Sequence, residues 1–273
     1  MMLPPWLQPK RPQWLVGTAI VASASLAVAG AAAWWRGWSP GDAWGLTFGA
    51  AAALLMLMAA LYPLRRRWGA RPFKTAQDWM QAHVYGSTLA ALFVLVHMGF
   101  RWPGGRFGFW LLALTLWTTI SGLLGVALQK WIPALLAREL TVEAIYDRVP
   151  ELADRLRGEA TRTMEGASDV LQRFYDAQVQ PALAGLSPSW SYVFEMHSGR
   201  ARRLAAFEHI QSFVGEADRD RLADLKTLVS EKMELEAHYT LQRLLRIWPL
   251  VHVPPAMLLL AAVVAHVASV WYF

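Results

Sequence analysis

Five long apolar runs alternate with shorter polar segments along this chain. They cover residues 14–35, 43–64, 81–100, 107–128 and 247–273. Each holds about 20 residues or more, and a helix of that length, rising 1.5 Å per residue, spans a hydrocarbon core roughly 30 Å thick. The pattern predicts an all-α fold, a polytopic membrane bundle of five transmembrane helices.

A polar, charged insert separates the fourth apolar run from the fifth. Its apolar residues recur at helical intervals, and Pro150 is expected to kink or break the first of its helices. The last, over 219–246, is expected to run into the fifth membrane helix. We therefore expect three parts: transmembrane helices 1 to 4 in 1–129, a helical soluble insert in 130–246, and a fifth helix in 247–273 that completes the bundle.

The net charge of +6 divides sharply between these parts. Of the twenty acidic residues, only Asp42 and Asp78 lie outside 139–236, whereas ten basic residues lie outside 130–246. The insert is thus slightly acidic and the membrane part strongly basic. This division indicates a membrane protein in contact with lipid, and it argues against nucleic-acid binding.

The densest positive cluster fixes the predicted orientation. It follows the second apolar run and contains Arg65, Arg66, Arg67, Arg71 and Lys74. The positive-inside rule places it in the cytoplasm. We therefore expect a multi-pass protein of a bacterial inner membrane, with its amino terminus and its insert cytoplasmic and its carboxy terminus outside. The first apolar run could be a cleaved signal peptide, but its length and edge tryptophans favour a retained helix.

Histidines repeat at one interval in two of the runs. His83 and His97 are fourteen residues apart in the third run, and so are His252 and His266 in the fifth. Fourteen helical residues return to within about 40° of the same face, about 21 Å further along. Both helices run outward in the predicted topology, so they are parallel. His83 should then lie level with His252, and His97 level with His266.

Four imidazoles at two levels are what two stacked b haems require, one axial nitrogen from each helix. The chain has no cysteine, which excludes covalent c-type haem and cysteine-bound clusters. Gly86 would let a macrocycle approach the backbone. Arg101 and Arg106, in the turn after the third run, could pair with haem propionates or with lipid headgroups. Any one of these histidines, taken alone, could instead be an ordinary core residue.

This arrangement resembles the membrane domain of the ferric reductase-like and NADPH oxidase group, through His83, His97, His252 and His266. It more loosely resembles the di-haem cytochromes b of respiratory complexes. The resemblance implies electron transfer between an inner and an outer b haem. Members of that group commonly carry a sixth helix and a flavin and nicotinamide module after it, and they usually lack so long an insert. We therefore expect electrons to come from another polypeptide or from a membrane quinol.

The expected function is a relay between a cytoplasmic or quinone partner and an acceptor outside, with the insert as a docking platform for a redox protein. No catalytic residue is predicted, and an electron-transfer subunit is preferred to a self-sufficient enzyme. Two alternatives stay open. One is a reductase acting on ferric chelates or another oxidant at the outer haem. The other is a transporter or sensor whose histidines bind metal or protons.

Overall fold

The computed structural model describes residues 11–64, 75–139, 146–186 and 204–272, and these ranges are helical without a strand. The predicted all-α class is therefore confirmed for this part of the chain. The basic cluster predicted to be cytoplasmic, 65–74, lies outside the described residues. The chain divides into two compact units, Met1–Leu128 with Trp248–Phe273, and Gln129–Ile247.

Nine helices occur in the described ranges. In chain order they are α1 Pro12–Arg36, α2 Ala43–Ala60, α3 Ala76–His97, α4 Arg106–Glu139, α5 Val149–Thr163, α6 Asp169–Phe174, α7 Gln180–Leu183, α8 over 204–210 and α9 Glu216–Tyr272. A π-helical turn, Tyr175–Val179, joins α6 to α7, and single 3-10 turns cover Tyr62–Leu64 and Tyr146–Arg148.

Five helices are long and apolar enough to cross a membrane, judged by length and composition: α1, α2, α3, α4 and α9. In two of them the last helical residue is set by proline or by positive φ nearby, and not by the end of the apolar run. Helix α2 ends at Ala60, four residues before its apolar run does, because Pro63 cannot continue a helical hydrogen-bond ladder. Helix α3 ends at His97 because Gly99 and Phe100 adopt positive φ.

Polar residues set the start of α3. The side chain of Thr75 caps the helix by accepting a hydrogen bond from the backbone nitrogen of Asp78 at 3.2 Å. The Asp78 carboxylate also forms an ion pair with Arg11, just before α1. The helix therefore starts five residues before its apolar run, within a polar segment.

The first unit packs α2 along α3, with α1 also in contact with α3. Its buried cluster contains Ala29, Phe48, Ala52, Phe93 and Val96. The Phe48 and Phe93 rings meet edge to face with their centroids 5.4 Å apart. Many large apolar side chains of this unit stay exposed, among them Leu54 on α2, Trp110 on α4 and Val264 on α9. Such a surface is what lipid contact requires.

The second unit has its own core. Buried apolar residues of α5 to α8 and of the first part of α9 form it, including Ala160, Leu171, Val179, Leu225 and Val229. Lys232 and Glu236 are both buried beside this core, and the Lys232 ammonium donates to the Glu236 carboxylate at 2.8 Å and to the carbonyl of Gly185. A charged pair is thus buried within the helical insert.

The prolines of this region mark helix starts and do not interrupt α9. Pro150 lies in the first turn of α5, where a missing N–H costs nothing, so a new helix begins there after the 3-10 turn Tyr146–Arg148. Of the kink or break expected at Pro150, the structure shows the break. Helix α9 continues through Pro249, Pro254 and Pro255. The expected continuity of the last insert helix with the fifth apolar run is confirmed.

Candidate functional site

The four spaced histidines meet as two pairs. His83 faces His252 with the ring centroids 6.5 Å apart and the ring planes at 78°, and His97 faces His266 at 6.5 Å and 76°. We call these the first pair and the second pair. The pairing predicted from the equal spacing is confirmed, and it requires α3 and α9 to run parallel. The near identity of the two geometries shows one motif used twice.

Helix α2 supplies the hydrogen-bond partners of both α3 histidines. The Nδ1 of His83 lies 2.9 Å from the carbonyl oxygen of Ala59, and the Nδ1 of His97 lies 2.8 Å from that of Gly45. A carbonyl only accepts, so each Nδ1 carries the proton and each Nε2 keeps its lone pair for a metal. Ala59 and Gly45 are themselves fourteen residues apart, so α2 runs antiparallel to α3 and in register with it.

His252 has a side-chain partner instead. Its Nδ1 lies 3.0 Å from Ser121 Oγ on α4, and that hydroxyl also lies 3.3 Å from the carbonyl oxygen of Thr118, to which it donates. The indole of Trp248 stacks on the imidazole, with centroids 5.3 Å apart and planes at 17°. The Trp248 N–H donates to the main-chain carbonyl of Ser121 at 2.7 Å. Ser121 therefore holds both rings.

His266 is held by packing. Its ring lies 6.2 Å from the ring of Phe107, at the start of α4, and the described part of the chain provides no hydrogen bond to its imidazole. The second pair thus combines a histidine that donates to a main-chain carbonyl with one whose described ring neighbours are Phe107 and His97. The two pairs share a spacing but differ in their surroundings.

Three glycines fit closely against these rings. A Cβ added at Gly49 would lie 2.8 Å from Nδ1 of His97, and one at Gly122 would lie 3.2 Å from Cε1 of His252. At Gly125 a Cβ would overlap the Trp248 indole, at 2.0 Å. The sequence predicts close packing at Gly122 and Gly125, and this is confirmed. Gly49 was missed, since small residues are common throughout membrane helices.

The other predicted site residues are near the pairs in sequence. Gly86 lies on α3 one turn after His83, and a Cβ there would meet no atom within 4 Å. Arg101 lies in the turn after α3, and Arg106 begins α4 beside Phe107. Both arginines are exposed, and the structure assigns neither an ion pair within the described ranges. They are therefore accessible to a ligand or to lipid headgroups.

The histidines of the insert form no comparable site. His209 is exposed, His238 is buried, and His197 lies outside the described residues. No cluster of three or more His, Asp or Glu side chains suited to holding a metal ion is found within 11–64, 75–139, 146–186 and 204–272. The four paired histidines are the remaining candidates for metal binding in these ranges.

The ring separation tests which metal geometry the pairs fit. Two imidazoles bound on opposite sides of one metal, with metal–nitrogen bonds of about 2.0–2.1 Å, have ring centres about 6.3 Å apart. Two imidazoles on a tetrahedral ion would have centres about 5 Å apart. The observed 6.5 Å matches the first arrangement. Opposed axial ligation is the arrangement of a bis-histidine haem.

No family model matches this chain, and no curated protein or solved structure matches it either. The class of protein is therefore defined by the fold and by the histidines. Within the described residues it is a helical protein with five helices long and apolar enough to cross a membrane, two of which bring four imidazoles together in two pairs.

Proposed function

We propose that this chain is the di-haem cytochrome b subunit of an electron-transfer system in a bacterial inner membrane. It would relay electrons between a cytoplasmic or quinone partner and an acceptor on the outer side. The observation that carries the proposal is the repeated pair geometry, with two sets of imidazole rings 6.5 Å apart on parallel helices. When bound, each b haem supplies a one-electron redox centre whose potential the protein tunes.

Different residues would bind the two haems and orient the binding histidines. His83 and His252 would ligate one haem and His97 and His266 the other, each through Nε2. The carbonyls of Ala59 and Gly45 hold two of the four rings in the tautomer that leaves Nε2 unprotonated, and the Ser121 hydroxyl orients a third ring through its Nδ1. The ligands therefore need little reorganisation on binding.

Charged residues at the end of α3 suit the polar edge of a haem. Arg101 follows the second pair by four residues, and Arg106 precedes Phe107, whose ring contacts His266. Arginine forms strong, charge-assisted hydrogen bonds to carboxylates. We assign these two residues to the propionates at the second pair. Their exposure supports this role, since no carboxylate of the described chain occupies them.

The proposal includes a topology and a docking surface. The basic segment 65–74 would face the cytoplasm, which places the amino terminus and the insert on that side and the carboxy terminus outside. The insert, an independently packed helical unit over Gln129–Ile247, would dock the soluble redox partner. The first pair would then lie near the cytoplasm and the second near the outer face.

A reduced-minus-oxidised absorption spectrum with a haem assay on the purified chain tests the proposal. We expect two b haems per chain, and one haem lost in each of His97→Ala and His252→Ala. His209→Ala, which changes an exposed histidine of the insert, is the matched control and should retain both haems. A colourless protein with stoichiometric zinc would contradict the proposal and favour a metal-binding transporter or sensor built on the same four histidines.

A further inference from the structure

The two pairs differ in the group that holds their α9 histidine. Ser121 of α4 lies within hydrogen-bond distance of His252, whereas His266 lies against the ring of Phe107. His83 and His97 donate to main-chain carbonyls, whereas the partner of the His252 Nδ1 is the hydroxyl of Ser121. We propose that Ser121 is a positioning residue that sets the redox potential of the first pair's haem independently of the second. This inference rests on the proposed function.

The Ser121 hydroxyl links His252 to the backbone of α4. Its Oγ lies 3.0 Å from Nδ1 of His252 and 3.3 Å from the Thr118 carbonyl oxygen, so it can accept from the imidazole while it donates to that carbonyl. When Nε2 of His252 binds a metal, Nδ1 carries the proton, and the bond then runs from the imidazole to the hydroxyl. A hydrogen bond of this kind raises the basicity of the ligating nitrogen.

The same residue also fixes the plane of the ring. The Ser121 carbonyl accepts the Trp248 N–H at 2.7 Å, and the indole stacks on His252 at 17°. Gly125 leaves no space for the indole to move towards α4, because even a Cβ there would overlap it. Ser121 thus positions His252 twice, directly through its hydroxyl and indirectly through Trp248.

The second pair has no equivalent of this arrangement. The acceptor for His97 is the main-chain carbonyl of Gly45, and His266 is contacted by Phe107. Among the three hydrogen bonds described for these ligands, the one to His252 is therefore the one whose partner atom belongs to a side chain. Evolution or mutation can therefore adjust the potential of one haem without altering the other.

Removing the hydroxyl has a predictable direction. Without an acceptor for Nδ1, the imidazole donates less charge to the metal, so the oxidised form loses stability relative to the reduced form. We expect Ser121→Ala to raise the midpoint potential of the first haem and to weaken its retention about 10-fold or more. The second haem should keep its potential.

The test is a spectroscopic redox titration of the full-length protein in detergent or lipid, for wild type, Ser121→Ala and Ser121→Thr. His83→Ala identifies which component belongs to the first haem. Ser121→Thr keeps a hydroxyl and should restore the wild-type potential. Thr119→Val is the matched control, because the Thr119 hydroxyl bonds the carbonyl of Thr115 on its own helix and not a histidine.

The outcomes separate the two proposals. A wild-type protein without haem refutes the proposed function. A wild-type protein with two haems, together with a Ser121→Ala variant in which both potentials are unchanged, refutes the role of Ser121 alone. Equal changes at both haems would also refute it, since they would indicate a general loss of packing in the bundle.

Discussion

The imidazole of His97 lies against Gly49 so closely that a Cβ on Gly49 would stand 2.8 Å from its Nδ1. The contact comes from α2, whose Gly45 carbonyl, one turn earlier, accepts the Nδ1 proton. The glycine therefore permits α2 to approach close enough to make that hydrogen bond. The small residues of α2 thus serve the orientation of the His97 ring as well as helix packing.

Gly49→Ala should displace His97 and weaken the second site. The alanine Cβ and the imidazole cannot both keep their places, so the hydrogen bond to Gly45 is lost, and loss of such a bond typically costs 10–100-fold in affinity or activity at metal sites. We expect about one haem per chain after purification, measured by haem assay against protein concentration. Gly17→Ala, where an added Cβ meets no atom, is the control. Two fully retained haems in Gly49→Ala would contradict this account.

The crossed rings of each pair predict a magnetic signature. The ring planes meet at 78° in the first pair and 76° in the second. Perpendicular axial imidazoles interact almost equally with two iron orbitals, so a ferric centre between them gives a highly anisotropic low-spin signal. Electron paramagnetic resonance of the oxidised protein should show this type of signal for both haems. Signals typical of parallel imidazoles would show that the rings rotate on haem binding.

The sequence predicts the paired histidines because helical periodicity makes spacing informative. Fourteen residues bring a side chain back to one face, so equal spacing on two helices implies two matched levels. The partners of those histidines carry no such signal. Gly45 and Ala59 act through main-chain carbonyls, which every residue has, and their role depends on the register between α2 and α3.

The role of Ser121 on α4 is likewise not predicted by the sequence. Thr115, Thr118 and Thr119 are nearby hydroxyl residues that bond carbonyls of their own helix, as isolated helical threonines do. Only the rotation of α4 relative to α9 brings the Ser121 hydroxyl to His252. The two ends of α3 are not predicted by its apolar run either. The side-chain cap at Thr75 sets its start, and the positive φ of Phe100 follows its end.

A larger side chain at Gly86 would show whether a macrocycle occupies the space beside His83. A Cβ added there meets no atom within 4 Å outside its own helical turn, so the first atom of a larger side chain would point into open space. If a haem lies against this glycine, Gly86→Leu should lower the haem content of the first site while the protein still folds. Gly30→Leu introduces the same side chain at an equally open position on α1 and should leave two haems. Unchanged haem content in Gly86→Leu would show that lipid, not haem, contacts this face.

The buried ion pair between Lys232 and Glu236 should contribute to the stability of the insert. Lys232 and Glu236 have side chains that are 1% and 2% exposed, and Lys232 also donates to the carbonyls of Ala182 and Gly185. Lys232→Met removes the ammonium that lies 2.8 Å from the buried Glu236 carboxylate, so it should destabilise the insert by about 3–5 kcal/mol. Hydrogen exchange of the full chain should then report faster exchange at Val179, Leu183 and Leu225, with the membrane helices unaffected.

Two further variants make that prediction specific to the pair. Lys232→Met combined with Glu236→Leu removes both charges, and because an apolar pair avoids the cost of desolvating them, protection should return to about the wild-type level. Arg219→Ala breaks an exposed ion pair with Glu216 on the same helix and should change exchange little, since solvent screens such pairs. Equal protection in Lys232→Met and wild type would mean that the Glu236 carboxylate is satisfied without the lysine. The ion pair would then be a feature of the insert's core and not a requirement for its stability.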